Sequence, residues 1–242
     1  MVFILGPPRT GTSITYYAMR EIFQLPGAGE SHVFPIMQKL IHEFYLYAVQ
    51  HAGKPDILAS ALDTNAMKTH LFQYVRQIYQ QAYGAGGWVD KTPGAAAITG
   101  VTLIQEAFPG ARVLVMRRTG VEVVSSFQSK FGGTFAEACA GWALCMEGIL
   151  KVRQMKAPFL EIDQFELAND PYRTSQRMTT FLGRPDKEVE LARFFEDHRT
   201  DVLSHHDWRK RLTIKDTDWE PDEQQLFRTV CGPMMQAFGY PM

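Results

Sequence analysis

The first thirteen residues, MVFILGPPRTGTS, constrain the fold more than any other stretch of the chain. Val2 to Leu5 is a short apolar run bounded by glycine, the pattern of a strand buried on both faces of a parallel sheet. Gly6-Pro-Pro-Arg-Thr-Gly-Thr-Ser13 follows at once, and residues 14–23 have the pattern of a helix. A strand, a glycine-bounded loop and a helix N-terminus make an anion cradle. The first backbone N–H groups of a helix have no partner within it, and the positive end of the helix dipole favours a bound phosphate.

The spacing is that of the Walker A loop, but Thr12 stands where a triphosphate-binding loop has lysine. Without the side chain that reaches the β- and γ-phosphates, the loop suits a single 5′-phosphate better than a triphosphate with Mg²⁺. Arg9 adds charge-assisted bonds, and the hydroxyls of Thr10, Thr12 and Ser13 add neutral ones. A tight turn that binds nothing requires fewer such groups.

Downstream, helical and strand patterns alternate. Residues 27–31 read as a turn passing back over the mouth of the loop, with Glu30 in it. Residues 32–51 have a helical period with a wide apolar face, and a second helix covers 64–83. Together 32–83 read as a helical insertion over the C-terminal edge of the sheet. A very short strand at 88–90 precedes a helix over 95–108, and 112–116 is a buried strand. Residues 119–131 form a helix with Thr119 as N-cap and Glu122 spaced for a capping box. A long helix follows at 135–155, a short strand at 158–162, and amphipathic helices at 172–182, 187–195 and 223–238; the tract 198–219 is polar and irregular. This order, with short links, predicts a parallel sheet flanked by helices. No linker is long enough to separate two domains, so 1–242 reads as one domain, with 198–242 as its C-terminal loop and helix.

With 25 basic and 26 acidic residues the formal net charge is -1, so nothing points to nucleic acid as a bulk electrostatic partner. Cys139, Cys145 and Cys231 are an odd set without C-x-x-C spacing, which argues against a disulfide framework or a structural zinc site. A strand beginning at residue 2 leaves no room for a signal peptide, and no apolar run approaches the roughly 18 residues that span a bilayer. The expectation is a soluble cytoplasmic protein, although an excised domain of something larger would look the same, and the sequence leaves the oligomeric state open.

Ligands of a parallel sheet sit at the C-terminal ends of its strands. The predicted ends are Gly6-Pro-Pro-Arg9, Asp90-Lys91, Arg117-Arg118 and Ile162-Asp163, and three of the four carry a cation. Arg9, Lys91 and Arg117 at one sheet edge fit a multiply charged anion lying across it.

These segments resemble those of sulfotransferases that use 3′-phosphoadenosine 5′-phosphosulfate (PAPS), closest in motif to the tyrosylprotein and carbohydrate branch. PPRTGTS is similar to their 5′-phosphosulfate loop, RRTGVEVVSS to their 3′-phosphate site, WVDKTP to the [EN]-K-x-P element and GESHVFP to the segment supplying the base. The resemblance covers most of residues 1–183. It implies a P-loop-like three-layer α/β fold and sulfuryl transfer from PAPS to the hydroxyl, or less often the amine, of a small-molecule or carrier-bound acceptor. It assigns Pro8, Arg9, Thr10, Gly11, Thr12 and Ser13 to the 5′-phosphate, Arg117 and Ser125 to the 3′-phosphate, Glu30 as the base and Lys91 as the stabiliser of the breaking bond. Adenosine 3′,5′-bisphosphate is already a good leaving group, so no metal is expected.

Two positions depart from the family pattern. Arg118 stands where Asp or Asn is common, and Ile162 where an aromatic often precedes the acidic residue. Asp207-Trp-Arg-Lys-Arg211 is loosely similar to the basic C-terminal loop that closes over the donor. Lys68-Thr-His70-Leu reproduces a catalytic string of the phenol and steroid branch, but Lys68 lies 49 residues before Arg117, against 26 for Lys91. One strand and one helix fit the shorter span, so Lys91 is preferred and His70 reads as a helix residue. The competing readings are a P-loop nucleotide kinase or NTPase, which Thr12 and Arg117 disfavour, and an inactive nucleotide-binding protein of the same fold, which the pairing of Glu30 with Lys91 disfavours.

Overall fold

A computed structural model describes residues 1–54, 56–57, 63–155, 158–198 and 209–242. Five strands, β1 (Val2–Leu5), β2 (Gly27–Ala28), β3 (Val89–Lys91), β4 (Arg112–Arg117) and β5 (Leu160–Asp163), lie in the order β2-β3-β1-β4-β5. All neighbours are parallel, with Phe3 opposite Asp90 and Val113, and Arg117 opposite Asp163. Successive side chains of a strand point to opposite faces, and both faces here are apolar. Phe3, Leu5, Val113 and Val115 enter one core, while Val2, Ile4, Leu114 and Met116 enter the other. The apolar runs lack polar alternation for this reason.

Helices cover both faces. On the second core lie α1 (Thr12–Ile22), α8 (Gln164–Asn169), α9 (Pro171–Leu182) and α10 (Glu188–Asp197), packed through Met19, Leu167, Met178 and Leu191. On the first lie α2 (Val33–Gln50), α3 (Thr64–Tyr83), α4 (Ala95–Thr99), α5 (Val101–Ala107), α6 (Gly120–Phe131), α7 (Phe135–Gln154), α11 (Pro221–Val230) and α12 (Gly232–Ala237). An aromatic cluster ties α2 and α3 to the sheet. Phe34 meets Phe3 edge-on at 5.4 Å, and Tyr79 stacks on Trp88 at 4.3 Å, where Trp88 itself meets Phe3 at 5.1 Å. Each such buried ring stabilises by about 1.5–3 kcal/mol through area alone, which fixes α2, and the segment entering it, against β3.

Four expectations are corrected in detail. The turn at 27–31 begins with an edge strand, because Gly27 lets the backbone come so close to β3 that a Cβ there would lie 2.0 Å from the Val89 carbonyl oxygen. The helix over 95–108 is two helices, broken at Gly100, whose N–H reaches back to both Ala96 and Ala97. The helix over 223–238 divides at Cys231, where Pro233 has no N–H to continue the ladder. Thr119 caps α6 as expected, accepting from Glu122 N–H at 3.3 Å, but the Glu122 carboxylate takes Arg118 Nε at 3.0 Å. Reciprocal capping boxes are instead found on α7, between Thr134 and Glu137, and on α11, between Glu220 and Glu223. No helix among the described residues is long and apolar enough to cross a membrane.

Candidate functional site

The loop after β1 is shaped by backbone strain. Gly6 has φ 148°, and a Cβ there would lie 2.4 Å from the Met116 carbonyl oxygen, so only glycine lets the loop leave β1 against β4. Arg9 is held at φ 68°, an uncommon conformation for a side-chain-bearing residue, and Gly11 at φ 85° precedes α1. Thr10 is buried and donates to the Pro7 carbonyl at 2.7 Å, closing the loop on itself. Gly94 N–H donates to the Gly6 carbonyl at 2.8 Å, so the segment after β3 docks on the same loop. No side chain caps α1, and its leading N–H groups face the loop.

Three predicted residues meet at the ends of β1 and β3. Lys91 Nζ donates to Glu30 Oε1 at 2.8 Å and to Ser13 Oγ at 3.3 Å. The Lys91 side chain is 10% exposed and that of Glu30 42%, so the cation is sunk in the site while the carboxylate remains partly in contact with solvent. His32 Nε2 lies 3.2 Å from the other oxygen, Oε2. The hydrogen bond from Lys91 holds the Glu30 carboxyl below the usual carboxylate range, against the opposing effect of partial burial. Glu30 is therefore a fixed acceptor beside a fixed donor.

A second grouping surrounds Arg9. Its Nε donates to Ser126 Oγ at 2.8 Å, and Arg118 Nη1 approaches its carbonyl at 3.4 Å. Burial, and then the nearby Arg118 charge, lower the Arg9 pKa.

The third grouping is at the end of β4. Arg117 Nη1 lies 2.8 Å from Asp163 Oδ2 and donates to the Tyr240 hydroxyl at 2.8 Å; Arg211 Nη2 reaches the same carboxylate oxygen at 3.0 Å. Tyr240 donates to Asp163 at 3.1 Å. Burial alone lowers the Arg117 pKa, but Tyr240, Asp163 and Glu161 more than offset it, and the net direction is up. Arg117 Nε and Arg211 Nη1 are buried without a hydrogen-bond partner. Arg117 Nε has the Glu161 carboxylate oxygen Oε2 at 3.4 Å, so Arg211 Nη1 is the buried guanidinium N–H left over for an anion.

Arg117 thus turns toward β5 and the C-terminus, and Ser126, rather than its neighbour Ser125, receives the bond from the loop. Ser125 is half-buried on α6, and Pro8 and Thr12 lie in the loop and the first turn of α1. Arg118, the departure from the family pattern, lies against Arg9 and Glu122. Ile162 points into the second core, and the aromatic group near Asp163 is Tyr240. Arg211 came from a stretch matched only loosely, of which 207 and 208 lie outside the described residues, as do His205 and His206. Tyr240 had no sequence signal at all. His70 is exposed on α3 with Gln73 as its neighbour, and Lys68 pairs with Glu106. Beside the loop, an apolar cleft of about 200 Å³ is lined by Pro8, Ala95, Val123, Phe127, Trp142 and Cys145.

A model of the sulfotransferase family matches residues 2–188. An uncharacterized protein of Aquifex aeolicus (strain VF5) is 28% identical over 136 residues, a match covering 54% of this chain and only 17% of that longer protein. The fold is similar to the sulfotransferase domain from the curacin biosynthetic pathway, with TM-score 0.57 and 16% identity over 100% of this chain and 98% of that one. Sulfotransferase STF9 from Mycobacterium avium has TM-score 0.56 at 14% identity, covering 100% of this chain and 77% of that one. Mouse sulfotransferase SULT7A1, complexed with PAP, has 0.53 at 12%, covering 97% and 84%.

Proposed function

The chain belongs to the sulfotransferase family, and from that premise we propose that it moves a sulfuryl group from PAPS to an acceptor hydroxyl by in-line displacement, releasing adenosine 3′,5′-bisphosphate. The observation that carries the reading is the convergence of Ser13, Lys91 and Glu30, an anion loop, a buried cation and an accessible carboxylate on two adjacent strand ends.

The donor has a place for each of its ends. Arg9, Thr10, Gly11, Thr12 and Ser13, with the uncapped start of α1, would hold the 5′ end, the loop lacking the lysine a triphosphate needs. Arg117, with Arg211 beside it and Ser125 on α6, would hold the 3′-phosphate, the unpartnered Arg211 Nη1 being the fit. The similarity to a structure complexed with PAP supports this assignment. When bound, the donor supplies the transferable group and a leaving group that departs with its charge on oxygen.

The residues then divide the work. Lys91 stabilises charge growing on the bridging oxygen, and does so strongly because its ammonium is almost wholly withdrawn from water. Glu30, part-exposed and with its Oε2 beside His32, takes the acceptor proton. In the resting site Lys91 is bonded to Glu30, which weakens the base; once the ammonium turns to the bridging oxygen, Glu30 regains basicity. The cleft beside Pro8 favours an acceptor, small-molecule or carrier-bound, with an apolar body next to its hydroxyl.

Thermal denaturation with adenosine 3′,5′-bisphosphate against ATP plus Mg²⁺, followed by transfer of labelled sulfate from PAPS to a panel of apolar alcohols and phenols, tests the reading. Saturating bisphosphate, at about 100 times its Kd, stabilises by about 2.7 kcal/mol, or about 5–10 °C for a chain of this size, and ATP plus Mg²⁺ gives less. A larger shift with ATP plus Mg²⁺ points to a nucleotide kinase, and binding without transfer to an inactive relative.

A further inference from the structure

Asp90 is a buried carboxylate that the mechanism above leaves unused. It is 3% exposed and immediately precedes Lys91 on β3. The two side chains leave opposite faces of the strand. Lys91 reaches Ser13 of α1 and Glu30, whereas Asp90 faces Ser31, just ahead of α2, and Tyr79 of α3. There Asp90 Oδ2 accepts hydrogen bonds from the Ser31 and Tyr79 hydroxyls, and Oδ1 accepts from Thr92 Oγ1 at 3.0 Å.

All three partners are neutral hydroxyls. A buried carboxylate among neutral donors is tolerable only while its hydrogen bonds are complete, so it holds those donors firmly. Ser31 is the residue after Glu30. Consecutive residues of β3 therefore grip consecutive residues of the entering segment: Lys91 grips Glu30 and Asp90 grips Ser31. Ser31 Oγ also accepts from Val33 N–H at 3.3 Å, at the start of α2, and lies 3.0 Å from the Tyr79 hydroxyl. The stack of Tyr79 on Trp88 leaves that hydroxyl little room to move.

We propose that Asp90 is a positioning residue: through Ser31, and with Tyr79 and Thr92 completing its hydrogen bonds, it holds the Glu30 carboxylate in register with Lys91. The inference deepens the sulfuryl-transfer reading and rests on it for its kinetic consequence. The titratable and charged groups facing Glu30 are Lys91 from β3 and His32 from its own segment. Burial first, and then the Asp90 carboxylate, push the Tyr79 phenol upward, so it remains a donor across the working range.

The test is a carboxyl-carbon NMR titration of Glu30 in the wild-type chain and in Ser31→Ala, Ser31→Thr and Tyr79→Phe, with Lys91→Ala giving the upper limit for an uncoupled Glu30. Ser31→Ala shifts the Glu30 midpoint upward by about half a unit or more toward that limit, and Ser31→Thr, which keeps the hydroxyl, restores it. Tyr79→Phe gives a smaller shift in the same direction. In turnover, Ser31→Ala lowers kcat by about ten- to a hundredfold with the donor KM within about twofold. An unmoved Glu30 midpoint in Ser31→Ala overturns the proposal, as does a Thr variant as impaired as the Ala variant. A wild-type chain that transfers no sulfate refutes the functional reading alone, since the titration decides the role of Asp90 without turnover.

Discussion

Lys91→Ala lowers kcat by about 10²–10³-fold, equivalent to about 2.7–4 kcal/mol of transition-state stabilisation, while donor affinity falls by less than about tenfold. The asymmetry follows from where the charge is. On the proposed reading, the phosphates of the donor would be met in the ground state by the loop and the arginines at the end of β4, whereas the bridging oxygen would gain its charge only as the bond breaks. A cation withdrawn from water beside that oxygen acts chiefly on the transition state. Single-turnover rates with PAPS, set against equilibrium binding of adenosine 3′,5′-bisphosphate, separate the two effects. Equal losses in both would make Lys91 a phosphate ligand and nothing more. The same variant has a pH signature. Glu30 is held below the usual range chiefly by the Lys91 bond, so the stabilisation from that pair is complete above the ordinary carboxylate pKa of about 4.3 and is lost as pH falls through the depressed value. In Lys91→Ala that acid-side dependence weakens, and the Glu30 midpoint rises.

The parts of this site that local chemistry dictates were legible in the sequence. A strand that must be apolar on both faces, a turn that must have glycine at φ 148°, and a helix start that must face an anion all write themselves into MVFILGPPRTGTS. Lys91 and Arg117 were legible because a cation ending a buried strand has few other uses. Glu30 was visible only through its resemblance to a known motif, since its place beside Lys91 depends on a two-residue strand that Gly27 permits and no periodicity announces. What the sequence hid is what the chain brings from afar. Arg211 and Tyr240 join Arg117 across roughly a hundred residues, and Asp90 looks in isolation like one more polar residue at a strand end until α2 and α3 bury it. The helix breaks at Gly100 and Cys231 were hidden for a local reason. A helical period continues through them, and the breaks come from Gly100 and from Pro233, which has no N–H to continue the ladder.

Asp163→Ala destabilises the chain by about 3–5 kcal/mol, a fall of about 6–20 °C in Tm. Asp163 is fully buried, and its Oδ2 is the common acceptor for Arg117, Arg211 and Tyr240 while Oδ1 caps the Phe165 N–H at 3.0 Å. Without it, two guanidinium groups face each other. Glu161 lies 3.4 Å from Arg117, and Arg211 is left over the Phe165 and Tyr240 rings at 4.3 and 5.1 Å. Ring faces offset about 0.5–2 kcal/mol of that charge, less than a buried carboxylate does. Removing one partner of a buried ionic cluster costs more than the cluster contributes as a whole, because the survivors remain desolvated. Asp163→Asn keeps the shape and the helix cap and loses the charge, so its deficit relative to wild type isolates the electrostatic part. The missing charge can also be returned from outside. If this cluster receives the 3′-phosphate, adenosine 3′,5′-bisphosphate raises the Tm of Asp163→Ala by more than adenosine 5′-monophosphate does at equal saturation of the loop. Equal rescue by the two nucleotides would remove the 3′-phosphate from this end of β4, and a Tm within about 2 °C of wild type, the range of a neutral surface change, would show that the arginines do not depend on Asp163.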